Sequence, residues 1–165
     1  MRRPIFAANW KMHKTVAEAA DFVDDFLPRI ERARDVEIVL AVPFTTLDRV
    51  GQRLRGSAVE LAAQNVHPEA RGAFTAEIAV GMLADLGCRY AIVGHSERRA
   101  LFGESDDFIA RKAAALMEGG LLDIVCVGES LDEREAERTF EVVARQLAGS
   151  LATIPSERAA EIVVA

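Results

Sequence analysis

The sequence has no excess of positive charge, few aromatic residues, only two cysteines and no long apolar run, and each shortage removes a class of protein. Twenty Lys and Arg stand against 26 Asp and Glu, a net charge of −6, so there is no basic field for general nucleic-acid or anionic-membrane binding. No stretch approaches the ~20 apolar residues of a membrane span, and Arg2-Arg3 lead into a short strand-like segment rather than a signal-peptide core. A cytoplasmic location is the expectation. Cys88 and Cys126 would allow one disulfide by parity, but beside apolar runs in a reduced compartment they read as buried free thiols. The nucleotide-binding patterns G-x-G-x-x-G and G-x-x-x-x-G-K-[ST] are missing, which weakens an open-sheet nucleotide-binding reading.

What is present is a repeat. Short β-branched runs at Pro4 to Asn9, Val36 to Val42, Glu60 to Gln64, Tyr90 to Val93, Leu122 to Val127 and Ile162 to Ala165 alternate with amphipathic segments, a βα unit about every 30 residues. Val16, Ala19, Ala20, Val23, Phe26, Leu27 and Ile30 share one helical face, as do Phe140, Val143, Ala144, Leu147 and Leu151. Thr15 to Glu18 and Ser130 to Glu133 have the form of capping boxes. Gly56 and Gly119-Gly120 follow helical patterns, where a left-handed residue ends a helix. No linker interrupts the series, so residues 1–165 read as a single α/β domain, although an open sheet and a barrel have the same alternation.

In parallel α/β folds, reactive groups collect at the C-terminal ends of strands. Those ends hold Asn9-Trp10-Lys11, Gln64-Asn65, Gly94-His95-Ser96-Glu97 and Gly128-Glu129-Ser130. An imidazole at a helix N-terminus is disfavoured as a cation and is left as a neutral N–H donor. Lys11 can neutralise an anion, and Asn9 can donate to the same ligand, a set that suits an enediolate. Each residue has a plainer reading. A histidine after a strand often caps a helix, a rim lysine is often only solvated, asparagines often close turns, and Glu97-Arg98-Arg99 is by default an exposed charge cluster.

The segments Ala8-Asn9-Trp10-Lys11-Met12, Ala63-Gln64-Asn65-Val66, Gly72-Ala73-Phe74-Thr75-Ala76-Glu77, Val93-Gly94-His95-Ser96-Glu97-Arg98-Arg99 and Cys126-Val127-Gly128-Glu129 resemble, in order and spacing, the signatures of the triosephosphate isomerase family. The resemblance covers essentially the whole chain and about two-thirds of a barrel for which ~250 residues is typical. It implies a partial (β/α)8 TIM barrel of about six parallel strands. It also implies the interconversion of dihydroxyacetone phosphate and glyceraldehyde 3-phosphate, a step of glycolysis and gluconeogenesis, with no metal and no cofactor. By resemblance, His95 is the electrophile, and this family is itself the standard example of a histidine kept neutral by a helix N-terminus. Lys11 and Asn9 match substrate contacts, Glu97 matches an active-site carboxylate, and Thr75 lies on a loop that enters a partner subunit, so a homodimer is expected.

One family feature is not met. The family's general base is the glutamate of a Tyr-Glu-Pro-Val-Trp-Ala segment after the sixth strand, whereas the sequence reads only as far as Ile162-Val163-Val164-Ala165. The expectation is a partial barrel without that base, the lid, or strands seven and eight, with open edges prone to self-association. Glu97, Glu129 and Glu161 do not read as replacements. Isomerisation by these 165 residues alone is expected to be weak or lost, and the alternative is a non-catalytic barrel fragment or assembly module of the same family.

Overall fold

The computed structural model describes residues 3–165. Six parallel strands, β1 (Ile5–Asn9), β2 (Glu37–Val42), β3 (Val59–Ala63), β4 (Tyr90–Val93), β5 (Leu122–Val125) and β6 (Val163–Val164), stand side by side in chain order. That order separates the two architectures the sequence left open. A doubly wound sheet reverses direction after its first strands, whereas right-handed crossovers that always add the next strand on the same side curl the sheet towards a barrel. The result is six strands of a barrel wall.

Helices α1 (Val16–Arg29), α2 (Leu47–Leu54), α3 (Val80–Asp85), α4 (Ser96–Phe102), α5 (Asp106–Glu118), α6 (Leu131–Glu135) and α7 (Thr139–Ser150) fill the connections. Residues alternate across each strand, so two cores form. On the concave side Val39, Ala41, Ala62, Tyr90, Ile92 and Ile124 pack together. On the convex side Leu40, Leu61, Val93 and Val125 meet Val23, Leu83, Ile109 and Leu116, among others. Both predicted capping boxes form, at Thr15 with Glu18 and at Ser130 with Glu133.

The sheet is finished in the middle and open at its sides. All four residues of β4 are buried, whereas Phe6 of β1 is 64% exposed and Val164 of β6 is also exposed. Among the described residues, β1 pairs only with β2 and β6 only with β5. Phe6, Phe22, Phe26 and Ile38 line an apolar groove of about 540 Å³ along the β1 side.

Several expectations need correction. On α7, Phe140 is 89% exposed and Ala144 is exposed, while Val142, Gln146 and Ser150 are the buried residues. Val16 on α1 is exposed as well. Cys88 is buried, but Cys126 is only partly buried; both are free thiols. Gly120 is left-handed at φ 77°, and Gly56 at φ 80°, but Gly119 is not, with φ −80°. Glycine is needed at 119 because a Cβ there would collide with Val80.

Candidate active site

The strand ends converge on a cavity of about 530 Å³ lined by Asn9, Lys11, Gln64, His95, Glu97 and Phe102, among others. Sequence reasoning named Asn9, Lys11, His95 and Glu97 as site residues, and the structure places all four on this one wall.

His95 follows the β4 end through Gly94, which bends the chain at φ 71°. It is the N-cap of α4, and its Nδ1 accepts a hydrogen bond from the Glu97 backbone N–H at 3.2 Å. The cap reading and the site reading therefore hold together, because a ring that accepts at Nδ1 carries its proton on Nε2. The imidazole is thereby arranged as a neutral donor.

Lys11 sits in the left-handed region at φ 52°, a conformation that costs a lysine about 1–2 kcal/mol. Neighbours hold it there. Its N–H donates to Asn9 Oδ1 at 2.9 Å, and the Gln64 amide donates to the Lys11 carbonyl at 2.9 Å and to the Ala41 carbonyl at 3.0 Å. Asn9 is thus a turn residue as well as a rim residue, and its oxygen is engaged while its NH2 group remains the donor. The Lys11 ammonium reaches Glu97 Oε1 at 2.7 Å, with both side chains about half exposed. The hydrogen bond from Lys11 holds the Glu97 carboxyl below the usual glutamate range, with the Lys11 charge acting in the same direction. Glu97 is therefore an ion-paired carboxylate that restrains Lys11, which makes it poorly suited to take a proton from carbon.

Glu129 lies elsewhere. It accepts from Arg134 at 2.7 Å and from Thr139 at 3.3 Å, and backbone hydrogen bonding first, then Arg134, holds its carboxyl low. Thr75 is exposed on a loop whose Phe74 ring packs on His67, with ring centroids 4.3 Å apart. It does not line the cavity of its own chain.

Two supports escaped the sequence reading. Lys112 of α5 is fully buried and donates to Asn65 at 2.8 Å and to Glu104 at 2.6 Å, and Arg98 reaches the same Glu104 oxygen at 2.7 Å. Burial pushes the Lys112 ammonium down, and Glu104 opposes that. The available signal was a lysine on the same helical face as Ile109 and Leu116, a position that needs a partner once buried. The second support is Gln146 of α7, which donates to the Gly128 carbonyl at 3.0 Å and accepts from its N–H at 2.9 Å.

Among the described residues, no group of three or more His, Cys, Asp or Glu could hold a metal ion. No described helix is long and apolar enough to cross a membrane.

Comparison with known proteins agrees with this geometry. The family model described as triosephosphate isomerase matches residues 4–165. A triosephosphate isomerase of Symbiobacterium thermophilum is 50% identical over 165 residues, which is all of this chain and 64% of that protein. One from Aquifex aeolicus is 51% identical over 147 residues, covering 89% of this chain and 59% of its own length. The crystal structure of triosephosphate isomerase from Bartonella henselae superposes with a TM-score of 0.91 at 36% identity, over 99% of this chain and 67% of that one. The chain thus spans about two-thirds of the length of the curated relatives it matches. With six parallel strands in barrel order, a shared rim and a family match that runs nearly end to end, the chain belongs to the triosephosphate isomerase family.

Proposed function

We propose that the protein carrying these residues interconverts dihydroxyacetone phosphate and glyceraldehyde 3-phosphate through an enediolate. The observation that carries the reading is the pairing, on one cavity wall, of a His95 ring whose Nδ1 is already occupied with a Lys11 ammonium held by Glu97. Isomerisation moves a proton between adjacent carbons while negative charge builds on two neighbouring oxygens. The Nε2–H of His95 can donate to those oxygens, and the Lys11 ammonium and Asn9 NH2 can stabilise the charge as it develops. This chemistry needs no metal or redox cofactor. The reaction also needs a carboxylate to take the carbon-bound proton, and Glu97, the one carboxylate among the described residues lining this cavity, is tied to Lys11. The base therefore lies outside the described wall, and a base alone is worth ~10²–10⁴ in rate.

In this reading the protein acts in the cytoplasm as a homodimer. The exposed Thr75 loop, braced by Phe74 on His67, reaches a partner subunit, and the net negative charge leaves nucleic acid without a role. A second reading, a non-catalytic barrel module that keeps the family surface, is favoured by the absence of a free carboxylate among the described cavity residues.

Titration of the isotopically labelled chain with dihydroxyacetone phosphate, followed by NMR, tests the substrate proposal. The His95 ring signals and the Gly94 and Ser96 amides are expected to shift, and the shifts should be lost in Lys11→Ala. Signals that stay in place, or shifts that survive loss of Lys11, would count against it.

A further inference from the structure

We propose that Arg99 is a positioning residue for His95, acting through the carbonyl of Gly94. The guanidinium lies mostly buried behind the cavity wall and does not line the cavity that holds Lys11. Its four donor contacts go to four different parts of the fold, the ends of β4 and β5 and helices α5 and α7. Nε–H donates to the Gly94 carbonyl at 2.8 Å, Nη1 to Asp106 Oδ1 at 2.5 Å, and Nη2 to Ser150 Oγ at 3.0 Å and to the Cys126 carbonyl at 3.3 Å.

These anchors form a rigid frame. Asp106 begins α5, Ser150 ends α7, and the Ser150 hydroxyl also donates to the same Asp106 oxygen at 3.3 Å. One helical turn before Ser150, Gln146 clamps Gly128 with two bonds. The polar buried face of α7 therefore holds the end of β5, and through Arg99 it also holds the end of β4. A planar fork with five fixed donors suits this task, since it bonds several acceptors in one orientation.

The Gly94 carbonyl belongs to the peptide unit that leads directly into His95. Its direction sets the turn from which the imidazole and the Glu97 N–H both project. The hydrogen bond from Glu97 N–H to Nδ1 is already long at 3.2 Å, so a small rotation of this turn would break it and free the ring to exchange tautomers. Gly94 shows how closely the parts fit. At φ 71° a Cβ would come within 3.0 Å of the Cys126 carbonyl and 3.1 Å of Arg99 Nη2, so the guanidinium occupies the space beside the bend.

The inference rests on the reading of His95 as the electrophile, but it is tested without substrate, so the two can fail separately. The measurement is the long-range ¹H–¹⁵N spectrum of the histidine rings in the 165-residue chain. His67 is an internal reference, because its Nδ1 accepts from the Glu69 N–H in the same manner and at the same 3.2 Å. In the unaltered chain both rings are expected to show the Nε2–H pattern. In Arg99→Met the His95 ring should lose that pattern and average between tautomers while His67 keeps it, and Arg99→Lys should recover part of it.

A purely structural role would lower the unfolding midpoint and leave the His95 pattern intact, and that result in folded Arg99→Met would overturn the proposal. If Arg99→Met does not fold, the pair Asp106→Ala and Ser150→Ala releases two anchors while leaving the guanidinium in place. A partial shift of His95 in the same direction is then expected, and an unchanged spectrum contradicts the proposal.

Discussion

Two of the strand ends that bring nitrogen groups to the cavity are built on opposite plans. His95 leaves a strand buried at every position, and the bend beneath it is bonded to a guanidinium shared by α5 and α7. Lys11 leaves the sheet's exposed side strand with a left-handed backbone, held by the Asn9 and Gln64 side-chain amides and a half-exposed ion pair. A donor that must present one nitrogen benefits from rigid framing, whereas an ammonium that acts mainly through charge tolerates a looser seat. Packing thus sets the first position, and local backbone strain marks the second.

The largest expected effect tests the braced side. Lys112→Ala takes the buried ammonium from Asn65 and leaves Glu104 with Arg98 alone, and removing one member of a buried pair costs up to about 3–5 kcal/mol. Urea unfolding should show the loss, while Lys11→Ala, which breaks an exposed pair, should leave the midpoint nearly unchanged. Equal midpoints for the two variants would erase the contrast.

The next effect concerns β5, the strand beside His95's own. Asp123 is buried, its Oδ2 has no hydrogen-bond partner, and burial raises its carboxyl from 3.8 to about 6, with Glu161 adding to the rise and Arg158 opposing it. The folded chain keeps this proton at pH values where the unfolded chain has released it. Stability from this residue is therefore intact below about 3.8 and lost as the pH rises through about 6. Asp123→Asn should stabilise the fold at pH 7.5 by up to about 3 kcal/mol, read as a higher thermal midpoint, and the advantage should shrink towards pH 4. A gain independent of pH would mean the carboxyl is solvated.

The smallest effect sharpens the account of Lys11. If its backbone is strained, Lys11→Gly should be more stable than Lys11→Ala by about 1 kcal/mol, because both lose the ammonium and only glycine relaxes at positive φ. Matching stabilities would place the residue in an ordinary conformation.

Much of this was legible in the sequence because it is local. Strand runs such as Tyr90 to Val93 and the capping boxes at Thr15 and Ser130 depend on neighbours within a few residues, and they appear where expected. The strand ends singled out in the sequence put Asn9, Lys11, His95 and Glu97 along one cavity. What stayed hidden depends on distant partners. The buried face of α7 was misread because Gln146 and Ser150 bury themselves against backbone and a guanidinium instead of apolar side chains, leaving Phe140 outside. Lys112 gave only a charge on an apolar face, since Glu104 and Asn65 reach it through the fold. Glu97 was read as an active carboxylate, and its bond to Lys11, 86 positions away in sequence, was likewise invisible.

The most direct measurement is isomerisation of glyceraldehyde 3-phosphate by the purified 165-residue chain beside its His95→Ala variant, which also controls for traces of host isomerase. The account predicts turnover that is slow, reduced by the ~10²–10⁴ that a general base supplies, and absent in the variant. Identical rates for the two chains would contradict it and leave the non-catalytic module as the reading of this barrel.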